Sequence, residues 1–220
     1  MIKNAHFSRR TLLSLGALSA GALLLPKSIY ADEGSSESTY PNCIATLTTK
    51  DGELLACNHD NPLARNASEV QITGKTTSVL NADGSVTSTF SSNLLFPGRI
   101  GQSSKDSIAG AYVEIEIRYY QTDGNICITQ AVGTAETTAS YASFQGSRGM
   151  AVHQGIAGSA KCHKEATFTS KSNTITTGWD PIPYVATDDS NMLVLNGGEC
   201  TAEVYVSGMG EAILRAAWTI

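Results

Sequence analysis

The stretch from Tyr112 to Gln121, YVEIEIRYYQ, alternates apolar and polar side chains, and the pair Asp123-Gly124 follows it. Successive side chains of an extended strand point to opposite faces of a sheet, so the pattern predicts one buried and one solvated face. Asp-Gly suits a two-residue type I′ turn, which needs a positive φ at both centres. The sequence therefore predicts an antiparallel hairpin in which Thr122 pairs with Asn125.

The register of this hairpin follows from the length of its loop. The predicted pairs are Tyr120 with Cys127, Tyr119 with Ile128, Ile117 with Gln130 and Ile115 with Val132. Cys127 then lies on the polar face, where we expect an exposed thiol or one that is bridged to a covering segment.

Two further hairpins are predicted around Asp51-Gly52 and Asp83-Gly84. The C-terminal sequence predicts another, with one apolar face on each strand: Cys200, Ala202, Val204 and Val206, then Ala212, Leu214, Ala216, Trp218 and Ile220. No segment after residue 31 shows a sustained helical repeat. These observations favour an all-β fold, a single antiparallel β-sandwich, with a closed β-barrel as the alternative. The glycine-rich sequence from Gln145 to Lys161 fits either loops or bulged edge strands.

The N-terminus has the layout of an export signal, with a basic start and a 14-residue apolar run from Leu12 to Leu25. Such a run covers about 21 Å as a helix, which is short for a membrane core of about 30 Å. Ser8-Arg9-Arg10-Thr11-Leu12-Leu13 resembles the twin-arginine (Tat) signal family, with the paired Arg9 and Arg10 as its motif. The resemblance implies export in the folded state. An ordinary signal for unfolded export is the alternative.

These features divide the chain into an export signal at 1–31, a flexible linker at 32–42 and a β-sandwich domain at 43–220. Removal of residues 1–31 leaves 11 basic and 20 acidic side chains, a formal charge of −9. So acidic a chain is a poor partner for nucleic acid or an anionic membrane surface. No later apolar run reaches the ~18 residues of a spanning helix. We expect an extracellular, cell-surface or periplasmic location, with the signal cleaved after Ala31 or retained as a tether.

All five cysteines follow the signal, in a part of the chain that would meet an oxidising compartment. The candidates for disulfides are Cys43, Cys57, Cys127, Cys162 and Cys200. Five is an odd number, so the sequence leaves many connectivities open. With Asp51-Gly52 as the loop, Cys57 lies opposite Thr46 and Cys43 points to the other face, so these two are predicted not to bond.

Motifs for chemistry are absent from the sequence. Cys162 and His163 are adjacent and so point to opposite faces of a strand, which makes them poor partners for nucleophilic catalysis. We identify no catalytic residue, metal-ligand spacing or cofactor motif. The best candidate for ligand binding is the proline-containing segment with Trp179, Asp180 and Tyr184, whose aromatic rings and carboxylate suit a glycan or a protein partner. The sequence therefore favours an exported binding module over a hydrolase without a signature or a secreted inhibitor or toxin-like protein.

Overall fold

The computed structural model describes residues 43–58, 70–95, 109–155, 162–183 and 196–220, so the signal and the linker lie outside the described residues. Twelve strands form within these ranges. They are β1 Cys43–Thr48, β2 Leu54–Cys57, β3 Gln71–Leu80, β4 Val86–Leu95, β5 Ala109–Thr122, β6 Asn125–Thr137, β7 Ala142–His153, β8 His163–Phe168, β9 Ser172–Thr176, β10 Ile182–Pro183, β11 Gly197–Val206 and β12 Gly210–Thr219.

The strands form two separate antiparallel sheets, which confirms the predicted β-sandwich and not the barrel. Sheet A has the order β2-β1-β12-β11-β7-β8, and sheet B has the order β10-β6-β5-β4-β3, with β9 also pairing with β6. The hydrophobic core lies between them and includes the fully buried side chains of Leu47, Phe90, Ile117 and Leu214.

The C-terminal hairpin has the predicted faces. The core-facing residues of its two strands are all buried: Cys200, Ala202, Val204, Val206, Ala212, Leu214, Ala216 and Trp218. Ile220, the last residue, packs against this core. The strands β11 and β12 pair without a register shift, from the pair of Gly197 with Thr219 to the pair of Val206 with Gly210.

The hairpin of β5 and β6 is confirmed near its turn. Asp123 and Gly124 have φ angles of 51° and 74°, as a type I′ turn requires. The predicted pairs of Thr122 with Asn125, Tyr120 with Cys127 and Tyr119 with Ile128 are present.

Beyond these pairs the predicted register is wrong, because Thr129 is an extra residue that forms a β-bulge. Gln130 lies opposite Arg118 instead of Ile117, and Val132 lies opposite Glu116 instead of Ile115. The Thr129 hydroxyl donates a hydrogen bond of 3.1 Å to the Arg118 carbonyl. The bulge exchanges the two faces of β6, so the small residues that follow it face the core.

The other two Asp-Gly hairpins have three-residue loops instead of the expected two. At β3–β4, Asn81 N–H donates to the Ser85 carbonyl at 2.7 Å and Gly84 N–H donates to the Asn81 carbonyl at 3.0 Å. Only Gly84 of this loop has a positive φ, 80°, which is typical of a type I turn followed by a left-handed glycine.

At β1–β2, Thr49 N–H donates to the Glu53 carbonyl, which again closes a three-residue loop. An irregularity at Leu55 compensates for the longer loop, so Cys57 lies opposite Thr46 as predicted.

Candidate functional site

An open groove of about 550 Å³ crosses the outer face of sheet A. Its floor is β7, where the small residues Gly149 and Ala151 face outward. The neighbouring strands β8 and β11 carry longer side chains at the same level, so the middle strand is the lowest part of the surface. A Cβ atom on Gly149 would lie 2.8 Å from Thr201 Oγ1, so the glycine leaves room for the threonine in the wall.

The strand register sets the order of the wall residues. Ala151 lies opposite Glu199 on β11 and opposite Glu165 on β8, while Gly149 lies opposite Thr201 and Thr167 in the same way. Two strand spacings separate the walls, which is about 10 Å. The groove therefore presents a carboxylate and a hydroxyl on each side of a narrow apolar floor; we call it the sheet A groove.

An ion pair holds one of these carboxylates in place. Arg215 donates to Glu199 Oε2 from Nε at 2.8 Å and from Nη2 at 2.5 Å. The side chains of both residues are largely buried, at 15% and 28% exposure. The positive charge of Arg215 balances the negative charge of the Glu199 carboxylate. Both bonds go to Oε2, so Oε1 of Glu199 can accept a hydrogen bond from a ligand.

Two histidines lie next to the groove, one residue row beyond the carboxylates. His153 and His163 are directly opposite on β7 and β8, and their rings stack with centroids 5.8 Å apart. Burial lowers the pKa of His153 below its usual range, so this ring is neutral at pH 7. His163 Nε2 lies 4.0 Å from Glu165 Oε2.

Of the predicted binding residues, the two that the structure describes lie outside the groove. Trp179 is half-buried and packs against the core, and Asp180 is exposed in the segment before β10. Tyr184 lies outside the described residues. Neither Trp179 nor Asp180 lines the groove.

The segment that carries Trp179 is hydrogen-bonded to β6 of sheet B and to Gln154, which follows β7 of sheet A. The Trp179 carbonyl accepts a hydrogen bond of 3.2 Å from the Cys127 thiol, and the Asp180 carbonyl accepts one of 2.9 Å from the Gln154 side chain. Thr177 donates its hydroxyl to the Ile128 carbonyl at 2.5 Å. These bonds make the segment a cover over the end of β6.

No disulfide joins any two of the five cysteines, all of which are among the described residues. Cys43, Cys127 and Cys200 are buried, whereas Cys57 and Cys162 are half-buried. The expectation of an exposed or bridged thiol at Cys127 is wrong, because the thiol is buried beneath the segment that carries Trp179 and donates a hydrogen bond to it instead of forming a covalent bridge.

The ring that stacks on His153 belongs to His163, the residue after Cys162. The Cys162 carbonyl accepts a hydrogen bond of 2.9 Å from Gln154 N–H. Within the described ranges, no three histidine, cysteine, aspartate or glutamate side chains come together to hold a metal ion.

Sequence reasoning missed the groove because its residues lie far apart in the chain. Residues 145–153 of the glycine-rich stretch that fitted loops or edge strands belong to the inner strand β7, which has two extra residues, Gly146 and Ser147, opposite the junction of Ala202 and Glu203. Residues 156–161 of the stretch lie outside the described residues. The sequence did contain one signal for the groove floor. Along β7 the small Gly149 and Ala151 alternate with the larger Met150 and Val152, which are buried, so the outer face of this strand carries small residues.

A scan of protein-family models, a search of curated proteins and a search of solved structures find no match to this chain. In the part of the chain that the structure describes, no helix has the length and hydropathy to cross a membrane.

Proposed function

We propose that this protein is an exported binding module, delivered by a Tat-like signal at residues 1–31, and that its ligand is a neutral oligosaccharide held in the sheet A groove. The observation that carries the proposal is the row of Glu199, Ala151 and Glu165, in which two acceptor side chains flank a small apolar floor. Sugar rings present hydroxyl groups at their edges and C–H groups on their faces, and this groove offers partners to both.

The charge balance favours a neutral ligand over a cationic one. Glu199 is neutralised by Arg215, and His153 is uncharged at pH 7. Glu165 is the remaining charged residue of the groove lining, and its side chain is 79% exposed, so water screens it strongly. Hydrogen bonds in defined directions are then the main source of specificity.

The test is a glycan array followed by titration calorimetry of the glycans that bind. Glu199→Gln removes a charge and an acceptor but keeps the shape, and Ala151→Leu fills the floor of the groove. Each is expected to weaken binding at least about tenfold, because a lost charge-assisted hydrogen bond or a blocked contact is worth about 1.4 kcal/mol or more.

Thr48→Leu is the control, because Thr48 lies on β1, three strands from the groove floor β7, and the substitution introduces the same leucine side chain. Trp179→Ala tests the segment that the sequence favoured. Binding that survives Ala151→Leu but is lost with Trp179→Ala would move the site to that segment. The absence of any glycan response would remove the oligosaccharide from the proposal.

A further inference from the structure

The free edge of sheet B differs from every other sheet edge in the described part of the chain. Strand β3 has ten residues and pairs with β4 without interruption along its whole length. The other edge strands are short: β2 has four residues, β8 six, β9 five and β10 two, one of which is Pro183. Natural proteins shorten, charge or bulge their edges to prevent strand pairing, and β3 carries one charge, Lys75, and no bulge or proline.

The C-terminal half of β3 exposes apolar side chains on both faces of the sheet. Val79 is 59% exposed on the outer face, and Leu80, the next residue, is 69% exposed on the opposite face. A ligand that lay on one face would cover only one of them. A strand added along the edge would contact both, because its own side chains alternate between the two faces.

The main chain of this half is oriented to receive a strand. Asn81 N–H donates to Ser85, so Asn81 directs its main-chain groups towards β4. Alternate residues of an antiparallel strand direct their N–H and C=O groups to opposite sides. The N–H and C=O groups that point towards the open edge are therefore those of Leu80, Ser78 and Thr76. No described strand pairs with them there.

We propose that the edge of β3 binds the same edge of a second copy of this chain, in an antiparallel pairing about a two-fold axis at Ser78. In this register Ser78 pairs with its own copy, and Thr76 pairs with Leu80 of the second copy. About six main-chain hydrogen bonds form between the two β3 strands, and the B sheets of the two copies become one continuous sheet.

The charge pattern of the edge favours a second copy as the occupant. The segment from Thr76 to Leu80 is uncharged, so self-pairing places no like charges opposite one another. Lys75 falls opposite the uncharged Asn81 of the second copy. The acid of that turn, Asp83, is held by Arg118 and Tyr120 on β5. The two-fold pairing therefore opposes no charge of the edge strand to a like charge.

Sedimentation equilibrium of the purified full chain tests the proposal over concentrations from about 1 μM to about 1 mM. The wild-type protein is expected to dimerise. Leu80→Pro removes an N–H that faces the open edge, so it leaves the bonds between β3 and β4 intact. The substitution removes one hydrogen bond from each copy, so two are lost in the dimer. It should therefore weaken dimerisation about a hundredfold. Val79→Lys places two cations near the axis and should weaken it as well.

Tyr205→Lys is the matched control, because Tyr205 is a large apolar side chain, 43% exposed, on the inner strand β11 of the other sheet. It should dimerise like the wild type, and circular dichroism melts should show that all three variants fold. A wild-type monomer at every concentration would overturn the proposal and leave a strand from another protein as the occupant. A dimer that persists in both edge variants would also overturn it.

Discussion

The strongest prediction on the stability of this domain concerns Gln154, a buried side chain that joins three parts of the fold. It follows the end of β7 and is 1% exposed. Its Oε1 accepts from Ile128 N–H at 2.5 Å, and its Nε2 donates to the Asp180 carbonyl at 2.9 Å. Gln154→Met keeps the approximate volume and removes both hydrogen bonds, so no cavity contributes to the result.

The magnitude follows from the groups that lose their partner. Ile128 is fully buried, so its N–H cannot turn to water and costs about 1–3 kcal/mol when unsatisfied. The Asp180 carbonyl belongs to an exposed residue and regains part of its hydration, which adds about 1 kcal/mol. We expect Gln154→Met to lower the free energy of unfolding by about 2–4 kcal/mol. The midpoint of thermal unfolding should fall by roughly 5–12 °C for a domain of this size.

Urea denaturation measures the free energy, and hydrogen exchange of the Ile128 amide reports the local effect. Gln145→Met is the matched control, because Gln145 lies on β7, the strand that Gln154 follows, and its hydrogen bond to Ser143 is exposed. It should change the free energy by less than about 0.5 kcal/mol. Equal stability of the two variants would refute the reasoning, because it would show that the Gln154 amide does not satisfy a buried group.

Four further outcomes are expected. Gly197→Ala should destabilise the domain by at least about 3 kcal/mol in urea denaturation, because its Cβ would lie 2.0 Å from a main-chain oxygen of β12. Asp123→Val should cost about 1–2 kcal/mol in the same assay, because φ is 51° there, whereas Asp51→Val should cost less. Hydrogen bonds from the neighbouring Ser85 hold the pKa of the Asp83 carboxyl below its usual range. The ionised Asp83 therefore stabilises the fold above about pH 4, and this stabilisation is lost as the pH falls further. Asp83→Asn should flatten that acidic part of the curve of stability against pH. Burial raises the pKa of Cys200 to about 12, so peptide mass spectrometry should find this thiol unmodified by iodoacetamide at pH 8 in the native protein.

Each of these expectations has an opposite result. A Gly197→Ala variant as stable as the wild type would mean that β11 and β12 are less closely packed than described. Equal costs for the two aspartate-to-valine changes would contradict the assignment of a type I′ turn to Asp123 alone. An acid-stability curve that is unchanged by Asp83→Asn, or rapid alkylation of Cys200 in the folded state, would contradict the environments given for these groups.

The alternation of side chains was enough to determine the fold class and the faces of most strands. Tyr112 to Gln121 and the two C-terminal strands are periodic over long stretches, and burial of one face follows directly from that pattern. The type I′ turn at Asp123-Gly124 was also readable, because few residues adopt positive φ at both positions.

Features that depend on a partner strand were decided by the tertiary structure. The bulge at Thr129 leaves no mark in the sequence of β6, because the hydrogen bonds that stabilise it come from Arg118 and from the segment at Thr177. The two remaining Asp-Gly turns took a longer loop, since the sequence allows both lengths and packing of the flanking strands selects one. The same holds for the groove: Glu165, Ala151 and Glu199 form a row only because β8, β7 and β11 pair side by side. A local pattern predicts which way the side chains of an uninterrupted strand point, whereas bulges and the neighbours of each side chain depend on strand pairing between distant parts of the chain.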